Sequence, residues 1–134
     1  MIYPGSVFTL ILIPKKNLKY YQMAYIEITT VIGCRVDCDF CPQPLLMDKY
    51  SIKNNVENIN YVNPVMMSFE TFKICIDKIP KRLLIIFIGF AEPFLNPECI
   101  KMIIYAHNSG HLVRVFSTLA NLRQLLFKIC LINS

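Results

Sequence analysis

The chain has 134 residues, of which 54% are hydrophobic, and a formal net charge of +5. This length indicates one domain at most, and the apolar content is high enough for a packed core, which argues against a disordered chain. The basic residues are spread out, with Lys15-Lys16 and Lys81-Arg82 as the basic doublets. Because no basic stripe is interleaved with aromatic residues, the sequence does not indicate a nucleic-acid partner.

The N-terminal segment indicates the cellular compartment. The apolar run at 7–13 has no basic residue before it and no small-residue cleavage site after it, so it does not read as a signal peptide. It is also much shorter than a membrane span. We therefore expect a cytoplasmic protein without a membrane partner, whose six cysteines are kept reduced. Residues 1–22 are interpreted as an accessory hairpin or strand that packs against a sheet or barrel edge, and 23–134 as the main domain.

The main domain is predicted to contain three strand-and-helix units. Alternating apolar residues predict the first strand, a continuous apolar run the second, and helical spacing after Ser68 and after Asn96-Pro97-Glu98 predicts the first two helices. The polar stretch at 42–67 is interpreted as a long loop. The order of elements predicts an α/β fold whose parallel strands are joined by right-handed crossovers. The predicted strands are 24–30, 83–88 and 112–116, and the predicted helices 68–79, 96–110 and 122–130.

Three cysteines follow the first predicted strand in the run CRVDCDFC. Cys34, Cys38 and Cys41 have C-x3-C-x2-C spacing, and three thiolates can hold three irons of a cubane cluster. Clusters used only for electron transfer normally have four protein ligands, whereas a catalytic metal site keeps one position open. The triplet therefore predicts an iron–sulfur site with chemistry at the cluster.

Two other interpretations of the triplet stay open, namely structural zinc and buried thiols. A zinc site usually adds a second pair of Cys or His ligands, and no such C-x2-C or H-x3–5-H pair occurs here. His107 and His111 are interpreted as a helix-end histidine and a nearby histidine, not as ligands. The remaining cysteines are isolated, and Cys75 is predicted to lie in the core.

A second motif follows the second predicted strand, in the run FIGFAEPFLNPE. Glu92 taken alone would be an acid near a helix start, where the helix dipole favours it. However, Gly89, Glu92 and Pro93 come directly after a strand, at the edge where α/β barrels place their active sites. This position favours a functional interpretation. Ser117 and Thr118 end the third strand and are interpreted as ordinary turn residues.

Taken in this order, the two motifs resemble those of the radical S-adenosylmethionine enzymes, over about residues 23–132. Phe40 fills the aromatic position of the family's C-x3-C-x-Φ-C signature. Gly89, Glu92 and Pro93 match its GGEP-like motif, whereas Ala91 stands where the family has its second glycine. Within the family, the chain is most similar to domain proteins that act on uncharacterised substrates.

The resemblance implies a set of site residues and a mechanism. Cys34, Cys38 and Cys41 would ligate a [4Fe–4S] cluster, and Phe40 would contact the adenine of S-adenosylmethionine. The GGEP-like motif, Gly89, Glu92 and Pro93, would hold the amino group of its methionine part. A flavodoxin- or ferredoxin-like donor would supply one electron, and cleavage would give a 5′-deoxyadenosyl radical that abstracts hydrogen from an unknown substrate. No side chain is predicted as a catalytic residue.

The resemblance also implies a fold, the N-terminal part of a partial TIM-type (β/α)6 barrel. A complete (β/α)8 barrel takes ~250 residues, and this chain has about three βα units, so we expect it to be truncated. Two alternatives to a radical S-adenosylmethionine enzyme remain at this point. One is a non-catalytic iron–sulfur binding fragment, and the other is a zinc-stabilised structural domain.

Overall fold

The structure is a computed structural model that describes residues 8–12, 24–36, 38–81 and 83–119. In this part of the chain it contains six strands, three α-helices and a short 3-10 helix at Pro93–Leu95. The strands are β1 (Phe8–Leu12), β2 (Tyr25–Ile28), β3 (Val31–Ile32), β4 (Val65–Met66), β5 (Leu84–Phe87) and β6 (Leu112–Ser117). The helices are α1 (Gln43–Asn54), α2 (Phe69–Asp77) and α3 (Cys99–Asn108).

The main sheet has the strand order β1-β6-β5-β2. β2 pairs with β5 and β5 with β6, both in parallel, and the crossover connections contain α2 and α3. This arrangement confirms the predicted α/β fold with a parallel sheet. β1 pairs antiparallel with β6 and occupies one edge of the sheet. The third helix predicted from the sequence, at 122–130, lies outside the described residues.

The core lies between one face of the sheet and helices α2 and α3. Side chains of a strand alternate between the two faces, and Val113 and Val115 of β6 are buried in this way beside Ile85 and Phe87 of β5. Phe72 of α2 packs on Phe87 with the ring centroids 5.6 Å apart. Burial of an aromatic side chain of this size contributes roughly 2–3 kcal/mol, so these contacts fix the helices on the sheet.

The predicted helix after Ser68 is confirmed as α2, but one of its residues is placed differently. The Ser68 hydroxyl accepts a hydrogen bond from the Thr71 N–H at 3.2 Å, as an N-cap does. Phe72 and Ile76 form the buried stripe. The prediction that Cys75 lies in the core is wrong, because Cys75 is exposed at the side of this stripe.

The stretch at 42–67, interpreted as a long loop, instead contains α1 and the strand β4, which pairs antiparallel with β3. Gln43 is the fully buried residue of α1, Leu46, Met47 and Tyr50 are half-buried, and Leu45 and Ile52 are exposed. The helix therefore has apolar residues on both its half-buried and its exposed faces, which weakens the hydrophobic periodicity by which a helix is recognised in a sequence. The C-cap of α1 is Asn55, which takes the left-handed conformation with φ of 52°.

Over the part of the chain that the structure describes, none of the helices is long and apolar enough to cross a membrane.

A buried histidine lies just before β6. His111 is 0% exposed, and its Nδ1 lies 3.2 Å from the Leu83 carbonyl oxygen. Its Nε2 is buried without a hydrogen-bond partner among the described residues. Burial lowers the pKa of His111 below its usual value of 6.5, the Leu83 carbonyl partly opposes this effect, and the nearby charge of Lys81 adds to it.

We predict that the stability of the fold decreases as the pH falls below about 6.5, because the unfolded chain then binds a proton that folded His111 does not. Between pH 6.5 and the lower pKa of the folded state, each pH unit removes at most about 1.4 kcal/mol from the free energy of unfolding. Urea unfolding at a series of pH values measures this slope. His111→Asn retains an amide donor for Leu83 and does not titrate, so an unchanged slope in this variant would contradict the assignment.

Candidate functional site

The functional candidates lie at one edge of the parallel sheet, where β2, β5 and β6 end. The cysteine loop follows β2 and the short strand β3, the GFAEP segment (89–93) follows β5, and Ser117 and Thr118 end β6. Parallel strands place their carboxyl ends at the same edge of a sheet, and ligands bind at this edge in α/β proteins. The topology therefore brings together segments that are far apart in the chain.

The two predicted motifs are in direct contact. The Sγ atom of Cys34 accepts a hydrogen bond from the backbone N–H of Glu92 at 3.3 Å, across 58 positions of sequence. The Cys41 thiol donates to the carbonyl oxygen of Phe90 at 3.6 Å. The first and last cysteines of the triplet thus both touch the segment Phe90–Glu92.

The cysteine loop itself contains a tight turn. The Cys41 N–H donates to the Cys38 carbonyl at 2.9 Å, and such a turn holds its first and fourth α-carbons within about 7 Å. Phe40 is in this turn and is 99% exposed. Cys34 is buried, Cys38 exposed and Cys41 half-buried, and all three carry thiols.

The three thiols supply the soft donor set that an iron–sulfur cluster requires, and in this respect the loop fits the group. They are not gathered around one point. Within residues 24–36, 38–81 and 83–119, no group of three or more His, Cys, Asp and Glu side chains is arranged to hold a metal ion. The donors are present, and the sulfurs of Cys34 and Cys41 are hydrogen-bonded to protein groups.

Glu92 is buried, with 4% of its surface exposed, and its carboxylate accepts four hydrogen bonds. Oε1 accepts from the Ser117 hydroxyl at 2.7 Å and from the Phe94 N–H at 3.2 Å. Oε2 accepts from both the N–H and the hydroxyl of Thr118, each at 2.7 Å. A carboxylate has about four acceptor sites, so this one is saturated from within the chain.

A second group of hydrogen bonds surrounds Pro93, the residue that follows Glu92. The Thr30 hydroxyl donates to the Pro93 carbonyl at 3.2 Å, and the Asn96 amide donates to the carbonyls of Thr30 and Met67 at 3.1 and 2.8 Å. Cys99 lies beside Thr30 in this group. Burial raises the pKa of the Cys99 thiol, and the negative charge of Glu92 raises it further. Cys99 is therefore a neutral core thiol.

Position 89 requires a glycine because the chain leaving β5 passes very close to Thr29 at the end of β2. Its φ is +127°, a conformation that residues with a side chain rarely adopt, and an added Cβ would lie 2.0 Å from the Thr29 hydroxyl oxygen. Gly89 therefore allows the GFAEP segment to leave β5 directly beside the end of β2. Its role in the structure is one of close packing.

The sequence does not predict the part that three residues play in the candidate site. The sequence predicts Ser117 and Thr118 as ordinary turn residues, but in the structure they supply three of the four donors to Glu92. Their place at the end of a parallel strand was the available signal. Gln43 is buried between the two motifs and bonds to both of them. No pattern in the sequence marks it.

One curated protein shows sequence similarity to the chain. The "Probable dual-specificity RNA methyltransferase RlmN" of Koribacter versatilis (strain Ellin345) is 30% identical to it over 76 residues. The matched part makes up 57% of this chain and 20% of that protein, so the chain corresponds to about a fifth of its length. No protein-family model matches the chain. No solved structure matches it either.

We predict that Gly89→Ala destabilises the fold more than Gly110→Ala. Both positions have a positive φ, whose cost for a residue with a Cβ is about 1–3 kcal/mol. At Gly110 no atom lies within 4 Å of the added Cβ, whereas at Gly89 the overlap with Thr29 adds to the cost. The free energy of unfolding in urea measures both variants, and equal losses would show that the contact with Thr29 is easily relieved.

Proposed function

We propose that the chain binds a [4Fe–4S] cluster through Cys34, Cys38 and Cys41, and binds S-adenosylmethionine beside it. The observation that carries this proposal is the direct contact between the cysteine loop and the GFAEP segment, through Cys34–Glu92 and Cys41–Phe90. Nothing in the sequence spacing requires the two motifs to meet. Their meeting at the carboxyl edge of a parallel sheet supports one composite site.

The similarity to an RNA methyltransferase supports the same proposal. Methyltransferases commonly use S-adenosylmethionine as the methyl donor, so this similarity supports S-adenosylmethionine as a ligand of the chain. The name of that relative gives RNA as its own substrate. For this chain the proposal concerns the cofactors and leaves the substrate unassigned.

Each residue of the composite site has a role that follows from its surroundings. Cys34 is held in a buried position by the Glu92 N–H, Cys38 is exposed, and Cys41 would exchange its bond to Phe90 for a metal ligand. When bound, the cluster and S-adenosylmethionine would supply reductive cleavage of a carbon–sulfur bond, as the family resemblance implies. The protein's part is to ligate, orient and exclude water.

The exposed ring of Phe40 is proposed as the contact for the adenine, since an exposed aromatic side chain next to the donor thiols offers an apolar stacking surface.

Gly89, Glu92 and Pro93 are proposed to shape the pocket for the amino group of S-adenosylmethionine. Glu92 would act there as a fixed negative charge, because its four acceptor sites are already used within the chain. A direct ion pair would require Ser117 or Thr118 to give way.

The parallel strands β2, β5 and β6 are proposed as the first three strands of a partial (β/α)6 barrel. Their order in the sheet and their crossover helices support this view.

An electron donor such as a flavodoxin- or ferredoxin-like protein is the proposed partner of the site. The exposed turn around Phe40 is the part of the cysteine loop that such a partner would approach.

We predict that Cys38→Ala abolishes the cluster and that Cys75→Ala, a matched change of another exposed thiol, leaves it intact. Anaerobic reconstitution with iron and sulfide, followed by electron paramagnetic resonance of the reduced protein, measures this. Equal loss of the [4Fe–4S]+ signal in both variants would contradict the ligand assignment.

The same samples separate the alternative functions. A signal that changes on addition of S-adenosylmethionine supports an open iron, and an indifferent signal would indicate a non-catalytic iron–sulfur fragment. If metal analysis of the purified protein finds zinc in place of iron, the result would indicate a zinc-stabilised domain.

We predict that Glu92→Gln weakens S-adenosylmethionine binding by about tenfold or more, because it removes the fixed negative charge that attracts the amino group. Two opposite unit charges about 8 Å apart attract each other by about 2 kcal/mol at an effective dielectric constant of ~20. Ser117→Ala removes one donor and keeps the charge, so its affinity should stay near that of the wild type. Isothermal titration of the cluster-loaded proteins measures both variants, with iron content and melting temperature as controls. Unchanged affinity in Glu92→Gln would refute a charge role for Glu92.

A further inference from the structure

Gln43 is the buried first residue of α1, with 2% of its surface exposed. Its Oε1 accepts hydrogen bonds from the N–H groups of Gly33 and Cys34, at 2.9 and 3.4 Å. Its Nε2 donates to the carbonyl oxygen of Phe90. One side chain thus bonds to the start of the cysteine loop and to the GFAEP segment.

The chemistry of these partners requires an amide at position 43. Two backbone donors meet the oxygen and one backbone acceptor meets the nitrogen, so the side chain must accept at one end and donate at the other. A carboxylate only accepts, and an apolar side chain would leave buried backbone groups without partners, which is costly. Gln43 is also the fully buried residue of α1, next to the half-buried Leu46, Met47 and Tyr50 of the same helix.

The hydrogen bonds of Gln43 and of Cys34 join the same two segments, the start of the cysteine loop and the GFAEP segment. Gln43 holds the backbone of Gly33 and Cys34 against Phe90, and the Glu92 N–H donates to the Cys34 sulfur two residues further on. If the bonds of Gln43 were lost, the Cys34 backbone would be released from the segment that supplies this N–H. Hydrogen bonds to ligand sulfurs are among the factors that set the reduction potential of an iron–sulfur cluster.

We infer that Gln43 is a positioning residue, which holds Cys34 beside the Glu92 N–H and so fixes the first sulfur ligand of the cluster site. The part of this inference that concerns the cluster rests on the proposed function. The part that concerns the position of Cys34 does not, since it can be measured in the protein without any metal.

The first measurement is the rate at which iodoacetamide alkylates Cys34 in the metal-free full chain, read by peptide mass spectrometry. Gln43→Met keeps a similar volume and removes all three bonds, so alkylation of Cys34 should become faster by about tenfold or more. Exposed Cys75 is the internal reference in every sample. Leu45→Met, on an exposed position of the same helix, is the matched control and should leave the rate unchanged. An unchanged Cys34 rate in Gln43→Met would overturn the inference.

A second variant keeps the test decisive if Gln43→Met fails to fold, as judged by circular dichroism. Gln43→Glu retains an acceptor for Gly33 and Cys34 and loses the donor to Phe90, so alkylation of Cys34 should be faster than in the wild type. A wild-type rate in Gln43→Glu would show that the bond to Phe90 does not hold the loop, which also overturns the inference.

The second measurement is the reduction potential of the reconstituted cluster, together with its electron paramagnetic resonance spectrum. Because a donor to sulfur stabilises the more negative, reduced state, release of Cys34 from the Glu92 N–H should shift the potential of Gln43→Met to a more negative value. If the potential and the spectrum of Gln43→Met were unchanged, the inference that Gln43 positions a sulfur ligand of the cluster would be overturned. A wild-type protein that takes up no cluster would instead refute the proposed function, and the alkylation rates would then decide the role of Gln43 alone.

Discussion

The edge of the sheet depends on one buried carboxylate. Glu92 has 4% of its surface exposed, and a charge buried to this extent is strongly unfavourable unless it is fully hydrogen-bonded. The chain meets this requirement with the hydroxyls of Ser117 and Thr118 and with two backbone N–H groups. Hydrogen bonds to a charged acceptor are stronger than neutral ones, so the end of β6 is tied firmly to the segment that follows β5.

The backbone of the same segment holds the cysteine loop. The N–H of Glu92 and the carbonyl of Phe90 point toward Cys34, Cys41 and Gln43, while the Glu92 side chain points toward β6. Three loops therefore meet through four consecutive residues of the chain, 89–92. The turn at 38–41 is the exposed part of this arrangement, with Phe40 almost completely in solvent.

The fold was predictable where a periodic pattern had a physical cause. The continuous apolar run at 83–88 and the Ser68 cap with its buried stripe correspond to β5 and α2, because burial against a second layer imposes such patterns. Helix α1 is not predicted from the sequence, because its fully buried residue, Gln43, is polar and its apolar residues lie on both the half-buried and the exposed faces. Cys75 was misplaced because it lies at the side of the buried stripe of α2.

The site was predictable in part for a similar reason. Cysteine spacing and the Glu-Pro pair are local signals, and they led to Cys34, Cys41 and Glu92. The partners of these residues come from other segments, and a hydrogen bond across 58 positions leaves no local trace in the sequence. For the same reason the four donors to Glu92 could not be derived from the motif in which it lies.

The antiparallel pairing of β1 with β6 has a consequence for the order of folding. Phe8 pairs with Ser117 and Leu12 with Val113, so the pair joins positions near opposite ends of the described chain. Such distant pairings form slowly, because a long loop must close before any contact is gained. Chains are synthesised from the N-terminus, so β1 exists long before the strand it pairs with. Until it pairs, the outer edge of β6 offers unpaired backbone groups, and any parallel strand added there would compete with β1 for the same hydrogen bonds.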